Sequence, residues 1–360
     1  MFPTNLTTTA PFIANSTKNQ TSADQEKASE YYLLVVQVTC LSAISIVGTF
    51  ANLMICSAAI RRRRKSSEYF ILNLAIADLM VCVIGIPLDI YQKLHAGAWQ
   101  YGAPLCKVVY PFQTLLVLIS IFTLTAMSLE RYRAIVTPFK QKLRKSAILG
   151  IIALIWCLGL GVVVPFSNVL TYIGVSCVEK WPGKNDSKYY TIALFVIDYC
   201  VPLTIIAYCY SRAGWELTKK FKEFNVNSFD RRQTSKKQDL AVKKRLQRNK
   251  RVIKVFSFAV LMFVVCMLPG DCYWMWTSFG DDSSFKFKDD LQTFINILVY
   301  SNSAINPFIF GACQGACTQR RKMILRNQFS TTSEKIVTRE KKWIHRMTRK
   351  DKEKIRESYV

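Results

Sequence analysis

Seven blocks of apolar residues dominate this chain, at 33–60, 67–93, 103–136, 146–170, 189–217, 250–277 and 289–311. Each supplies the roughly 20 apolar residues that a helix needs to cross a hydrocarbon core of about 30 Å. A soluble chain of 360 residues would divide into roughly two or three domains of amphipathic elements. Here the 51% hydrophobic content is gathered into spans instead. The expected fold is an all-α membrane protein, a seven-transmembrane helix bundle over 33–311. An odd number of crossings puts the two chain ends on opposite sides.

Basic charge decides which side is which. RRRRK at 61–65 follows the first block and KQKLRK at 140–145 follows the third; the 218–250 loop and the tail from Arg320 hold most of the remaining Lys and Arg. The opposite side holds the N-terminus and the acidic loop GDDSSFKFKDD at 280–290. The positive-inside rule puts residues 1–32 outside and the C-terminus in the cytosol, and a multi-pass plasma-membrane location is expected. The net charge of +25 does not point to nucleic acid, because the basic stretches are spread over four segments separated by spans. They suit water and anionic membrane lipids. The sequons at Asn5, Asn15, Asn19 and Asn185 all fall on the outer side and are candidate glycosylation sites. Residues 1–30 lack a basic-then-apolar pattern, so the first span is expected to direct its own insertion.

Most of the twelve cysteines lie within the spans. Cys106 opens the third span on the outer side and Cys177 sits in the outer loop 171–188. In an oxidising exterior the two could bridge across the mouth of the bundle. Two free thiols are the alternative, and Cys272 is a rival partner.

Several polar side chains sit where the bilayer should be, each costing about 2.5–3.5 kcal/mol if charged. Asp78 lies in the second span, Asn52 in the first, Ser120 in the third, and Asn302, Ser303 and Asn306 in the seventh. One carboxylate among hydroxyls and amides suits a small hard cation such as Na⁺ bound through oxygen, with Asp78 as the metal ligand. A hydrogen-bonded network around a neutral Asp78 fits the spacing equally. Prolines recur at Pro87, Pro165, Pro202, Pro269 and Pro307. Each frees a backbone bond and permits a kink, and together they favour a bundle that moves.

The third span ends in SLERYRAIVTPF at 128–139. Arg131 lies 25 residues after Cys106, about 37 Å of helix, which places it at the cytosolic interface. It could snorkel to lipid phosphates. Alternatively it holds Glu130 in one state and a partner's backbone carbonyls in another, which makes a switch.

This ordered set resembles the rhodopsin-like G-protein-coupled receptors over roughly 33–326. The markers are Asn52, then NLAIADL with Asp78, then Cys106 and Glu130-Arg131-Tyr132. Trp156, Pro202 with Tyr210, CMLP at 266–269 and NPFIF at 306–310 follow in the later spans. The resemblance implies a sodium pocket at Asp78, Ser120, Asn302, Ser303 and Asn306, and a core trio of Pro202, Ile121 and Phe263 that repacks on activation. No cofactor is implied beyond that allosteric Na⁺. Three positions depart from the pattern. Met267 replaces the sixth-span tryptophan, Phe310 replaces the tyrosine that follows Pro307, and Asn249 stands where some members place an acid to clamp the arginine. A loosely locked resting state with ligand-independent activity is therefore expected.

The resemblance also narrows the ligand. The seventh span holds no lysine for retinal, Tyr300 taking that place, and Gln113 stands where amine receptors carry an aspartate. The outer half holds Asp89, Asp198 and Asp271, with Gln113, Asn296 and Tyr300 at similar depth. Trp274, Trp276, Asp281 and Asp282 rim it. An acid-lined aromatic opening favours a cation, and a short basic neuropeptide with an amidated end is the expected ligand. A small amine-like molecule is the alternative. A membrane transporter is the alternative class, although no repeat between the halves appears. An enzyme is not expected: the only histidines, His95 and His345, lie in a loop and in the tail.

On the inner side, 218–250 and the ends of spans three, five and six form the expected G-protein surface, whose positive charge speeds encounter with an acidic partner. Residues 312–326 are expected to form a short membrane-lying eighth helix with Cys313 and Cys317 as palmitoylation candidates. The tail 327–360 is expected to be disordered and basic, with Ser330, Thr331, Thr332 and Ser333 as sites for receptor kinases that recruit arrestin. Its last residues, Ser358-Tyr359-Val360, fit the carboxylate-capturing groove of a PDZ domain.

Overall fold

The structure is a computed structural model. Its backbone is described for 10–60, 66–95, 97–137, 143–230, 236–280 and 290–311, and its side chains over the same ranges apart from 10–27, 60, 66, 227–230 and 236–238. A compact unit ends at Phe310. Outside the described residues lie Asn5, the side chains of Asn15 and Asn19, Asp281, Asp282, Cys313 and Cys317. The eighth-helix segment 312–326 and the tail 327–360 lie outside them as well.

The first span belongs to α1 (Ala10–Ile60), which continues N-terminally of the apolar block. The second is built from α2 (Ser66–Met80), a π-helical turn at Val81–Gly85, and α3 (Ile86–Leu94). Spans three and four are α4 (Gly102–Val136) and α5 (Lys145–Val169). The fifth is α6 (Asp186–Phe195), a π turn at Val196–Cys200, and α7 (Val201–Asp230). The sixth is α8 (Lys236–Phe279). The seventh, α9, runs 290–311.

Six of these spans are long and apolar enough to cross a membrane. The seventh carries Asn296, Ser301, Asn302, Ser303 and Asn306, which make it the least apolar. Large side chains such as Ile46, Phe50, Leu154 and Leu158 lie exposed on the outward faces. Helices apolar all round with exposed aliphatic flanks are stable in lipid, not in water.

Both π turns have one local cause. Each ends two residues before a proline, Pro87 or Pro202. Proline has no N–H to give the carbonyl four residues back and its ring crowds that carbonyl. The preceding turn widens, so that Ile86 N–H reaches Val81 O and Val201 N–H reaches Val196 O. Such insertions bend helices and often sit at functional sites. Pro111, Pro165 and Pro269 are carried inside their helices instead.

The third span is the axis of the packing: α4 touches α2, α5, α7 and α8. Its buried Ile121, Leu124 and Met127 join Phe70, Leu74, Phe256, Phe263 and Phe310 in the main core. Small residues set the closest approaches. A Cβ at Gly48 would lie 2.5 Å from Cys82 Sγ, and one at Gly159 would lie 2.7 Å from Leu115 Cδ1.

The outer loop 171–188 carries regular structure of its own. It begins as a two-stranded antiparallel hairpin, β1 (Leu170–Ile173) and β2 (Ser176–Glu179). Gly174, with φ +61, makes the turn, a conformation that suits a residue without Cβ. Cys177 on β2 is bonded to Cys106 at the start of α4, with their Cα atoms 5.6 Å apart. The exposed Cys272 is a free thiol. Trp99, almost fully buried, seals the junction: its backbone N–H donates to Val175 O (2.7 Å) and its indole to Gly102 O (2.8 Å). Asn185 is exposed, just before α6.

Candidate functional site

At the outer end the candidate residues separate into two groups. In the first, Tyr300 on α9 hydrogen-bonds Asp89 on α3. Gln113 on α4 donates weakly to the Tyr300 hydroxyl (3.4 Å) and to the carbonyl of Gly85 (3.3 Å), the last residue of the first π turn. Lys93, one turn beyond Asp89, adds a favourable charge. In the second group Asp198, in the second π turn, faces Asp271 on α8 closely enough for the two charges to interact. Trp274, one turn beyond Asp271 and half exposed, donates its indole N–H to Thr191 Oγ1 (3.2 Å), bracing α8 against α6. Asn296 lies one turn from Tyr300 on α9 and is partly buried. The acids therefore form two poles, not one continuous lining.

Gln37 on α1 was not anticipated from the sequence. It is buried and its amide nitrogen has no partner among the described residues. It stands one turn from Leu41, which packs against Ile86 and Tyr300. An amide in an otherwise apolar stretch was the available signal.

At mid-depth Asp78 is fully buried. Its Oδ2 accepts from Asn306 Nδ2 (2.9 Å), and Ser303 lies nearby. Asn52 joins the first and seventh spans by donating to Gly48 O (2.9 Å) and Ser303 O (3.0 Å). Ser120 spends its hydroxyl proton on Leu116 O in its own helix (3.0 Å), which leaves its lone pairs free. Asp78 Oδ1, Asn302 Oδ1 and Asn306 Oδ1 are buried without partners among the described residues. Orphaned oxygens of this kind are what a hard cation requires. A neighbouring network escaped the sequence reading: Trp156 donates to Asn73 (3.0 Å), which donates to Thr123 (2.8 Å).

Between these levels Ile121, Phe263 and Met267 pack in one core cluster, and Pro202 is buried beside the fifth span's contribution to it. Met267 thus fills the position with a flexible, polarizable chain. Pro307 is buried in α9.

At the inner end Arg131 ion-pairs with Glu130 and donates to Ser67 at the start of α2. Its guanidinium carbon also lies 5.9 Å from the centre of the Phe256 ring, and Phe256 packs 5.4 Å from Phe310. Tyr210, whose hydroxyl is buried without a partner among the described residues, is near enough to feel the arginine's charge. Tyr132 turns instead to the exposed Tyr208, with ring centres 6.0 Å apart. A further tie was invisible in the sequence. Lys220 on α7 donates to Ile135 O at the end of α4 (2.7 Å) and pairs with Glu216 (3.1 Å). Ile135, Leu217 and Leu246 close the apolar seam beneath it, joining the inner ends of spans three, five and six.

The seven-transmembrane receptor (rhodopsin family) model matches residues 51–310. The chain is 29% identical to neuropeptide FF receptor 2 of Rattus norvegicus over 308 residues, covering 78% of this chain and 71% of that protein. It is 31% identical to the galanin receptor type 1 of Homo sapiens over 293 residues, 76% of this chain and 77% of that one. It is 28% identical to the substance-K receptor of Mus musculus over 287 residues, with 77% and 72% covered. The bundle, the buried carboxylate of the second span and the guarded arginine agree with this match, and the chain belongs to the rhodopsin family of seven-transmembrane receptors.

Proposed function

We propose that this receptor binds a short basic peptide with an amidated end at its extracellular face and activates heterotrimeric G proteins at its cytosolic face. The observation that carries the ligand class is Gln113. Where an amine receptor needs a carboxylate, this chain has an amide already engaged with Tyr300, and the acids lie on either side of it, on α3 and on the fifth and sixth spans. Acids on separate helices suit an extended ligand with more than one contact better than a lone ammonium. The names of the relatives, receptors for neuropeptide FF and galanin among them, favour a peptide too. Membership of a receptor family weighs against a transporter.

Ligand binding at the outer poles shifts the bundle toward a state in which the sixth span swings about Pro269 and Arg131 leaves Glu130, Ser67 and Phe256 for the G protein. A ligand shifts such an equilibrium only through its preference for one state. Na⁺ held by Asp78, Ser120, Asn302, Ser303 and Asn306 favours the resting state. The tail recruits receptor kinases, arrestin and a PDZ protein, and palmitate on Cys313 and Cys317 holds 312–326 to the membrane. The N-terminus, glycosylated, faces outward.

A panel of amidated peptides applied to cells expressing the receptor with a promiscuous G protein tests the reading. Arginine-containing amides are expected to stimulate signalling. A panel with no active peptide, together with activation by a small amine, would overturn it.

A further inference from the structure

Asp198 and Asp271 lie close enough across the fifth and sixth spans for their charges to interact. Asp198 is 91% buried, its relative exposure being 9%, and its Oδ1 has no partner among the described residues. Neither carboxylate takes part in an ion pair among those residues. The described cation farther along α6, Lys188, is ten residues before Asp198 and covers the Phe279 ring at 5.3 Å. At the other pole Asp89 already has Tyr300 and Lys93.

Two carboxylates in a low-dielectric bundle repel, and leaving a buried acceptor unmade is costly. A counter-charge arriving from outside relieves both costs. We propose that Asp198 and Asp271 form a two-carboxylate subsite for one guanidinium of the ligand; this rests on the peptide-receptor reading above. A guanidinium suits the place because its planar fork carries five N–H donors on several edges, enough to engage both acids together. An ammonium, a hydrated point charge, matches two carboxylates on separate helices less well. Tyr199, beside Asp271 and stacked on Phe195 at 5.4 Å, and Trp274 supply aromatic faces near the same carboxylates.

The placement also couples the subsite to the moving parts. Asp198 lies in the widened turn ahead of Pro202, and Asp271 is one turn from Met267 and two residues from Pro269. A guanidinium bound between the acids replaces repulsion by attraction and draws the outer ends of the fifth and sixth spans together.

Thermal unfolding of the purified full-length receptor tests this, with argininamide and its neutral isostere citrullinamide as probes. At about 10 mM, argininamide is expected to raise the midpoint by about 1–2 °C and citrullinamide not at all. The shift should vanish in Asp198→Asn and in Asp271→Asn, and persist in Asp89→Asn. Equal shifts from the two probes, no shift from either, or an argininamide shift that survives in either neutralised variant would overturn the subsite. Should one variant fail to fold, the other decides. The peptide panel is read separately: an active amide whose potency is untouched by citrulline replacement sinks the subsite and leaves the receptor reading standing.

Discussion

The Arg131 guanidinium lies over the ring of Phe256, 5.9 Å from its centre, and the same ring packs 5.4 Å from Phe310. This contact gives meaning to two departures from the family's pattern. Asn249 supplies no acid to hold the arginine from the sixth span, and Phe310 supplies no hydroxyl. Instead, the Phe256 ring, backed by Phe310, faces the cation, while Glu130 on the same helix and Ser67 on α2 hold it.

Cation–π contact contributes about 0.5–1 kcal/mol at exposed sites and about 2 kcal/mol when desolvated. Replacing Phe256 by Ala is therefore expected to raise ligand-independent signalling about twofold to thirtyfold relative to surface expression. Asn249→Glu should do the reverse by giving the arginine a carboxylate on the sixth span. Nucleotide exchange in membranes without ligand measures both. Basal exchange unchanged in Phe256→Ala would remove the ring from the resting-state lock.

Sodium has its own signature. With Asp78 as the carboxylate of the cation site, replacing choline chloride with about 0.15 M NaCl should raise the unfolding midpoint of the purified receptor by roughly 2 °C. Asp78→Asn should abolish that rise. A sodium response that persists in the variant would place the ion elsewhere.

The bridge between Cys106 and Cys177 closes a segment of 71 residues. Losing it in Cys177→Ser should cost about 2–4 kcal/mol of stability, visible as a lower unfolding midpoint. It also frees the hairpin that Trp99 and the disulfide pin over α4, so potency of any active peptide should fall at least tenfold. Wild-type stability and potency in the variant would mean that packing around Trp99 suffices.

Topology is open to a direct check. An epitope tag at the N-terminus should be labelled on intact cells, and one at the C-terminus only after permeabilisation. Glycosidase treatment should increase gel mobility, by progressively less as Asn5, Asn15, Asn19 and Asn185 are replaced by Gln.

Much of this molecule was legible in its sequence because each span is long and apolar and each proline is a discrete covalent fact. The structure brings together Cys106 with Cys177, Asp78 with Asn306, and Arg131 with Glu130, residues that the sequence had singled out. What escaped depends on rotation about a helix axis, which uniformly apolar spans do not reveal. Hydrophobic periodicity could not tell that Asp89 would join Tyr300 while Asp198 turned toward Asp271. It could not show that Tyr132 faces Tyr208, nor that Lys220 reaches Ile135 O. The hairpin at 170–179 was hidden because its strands are only four residues each. The π turns had a visible cause in Pro87 and Pro202, but proline alone does not distinguish a widened turn from a simple kink, as Pro111 and Pro269 demonstrate.

The central claim is that a signal from the outer poles frees Arg131 for a cytosolic partner. Guanine-nucleotide exchange on purified heterotrimers, driven by membranes carrying wild-type receptor or Arg131→Ala at matched surface levels, tests it with an amidated peptide that activates the wild type. We expect peptide-stimulated exchange on the wild type and a loss of at least tenfold in the variant, with peptide binding retained. Full stimulated exchange through Arg131→Ala would contradict the account.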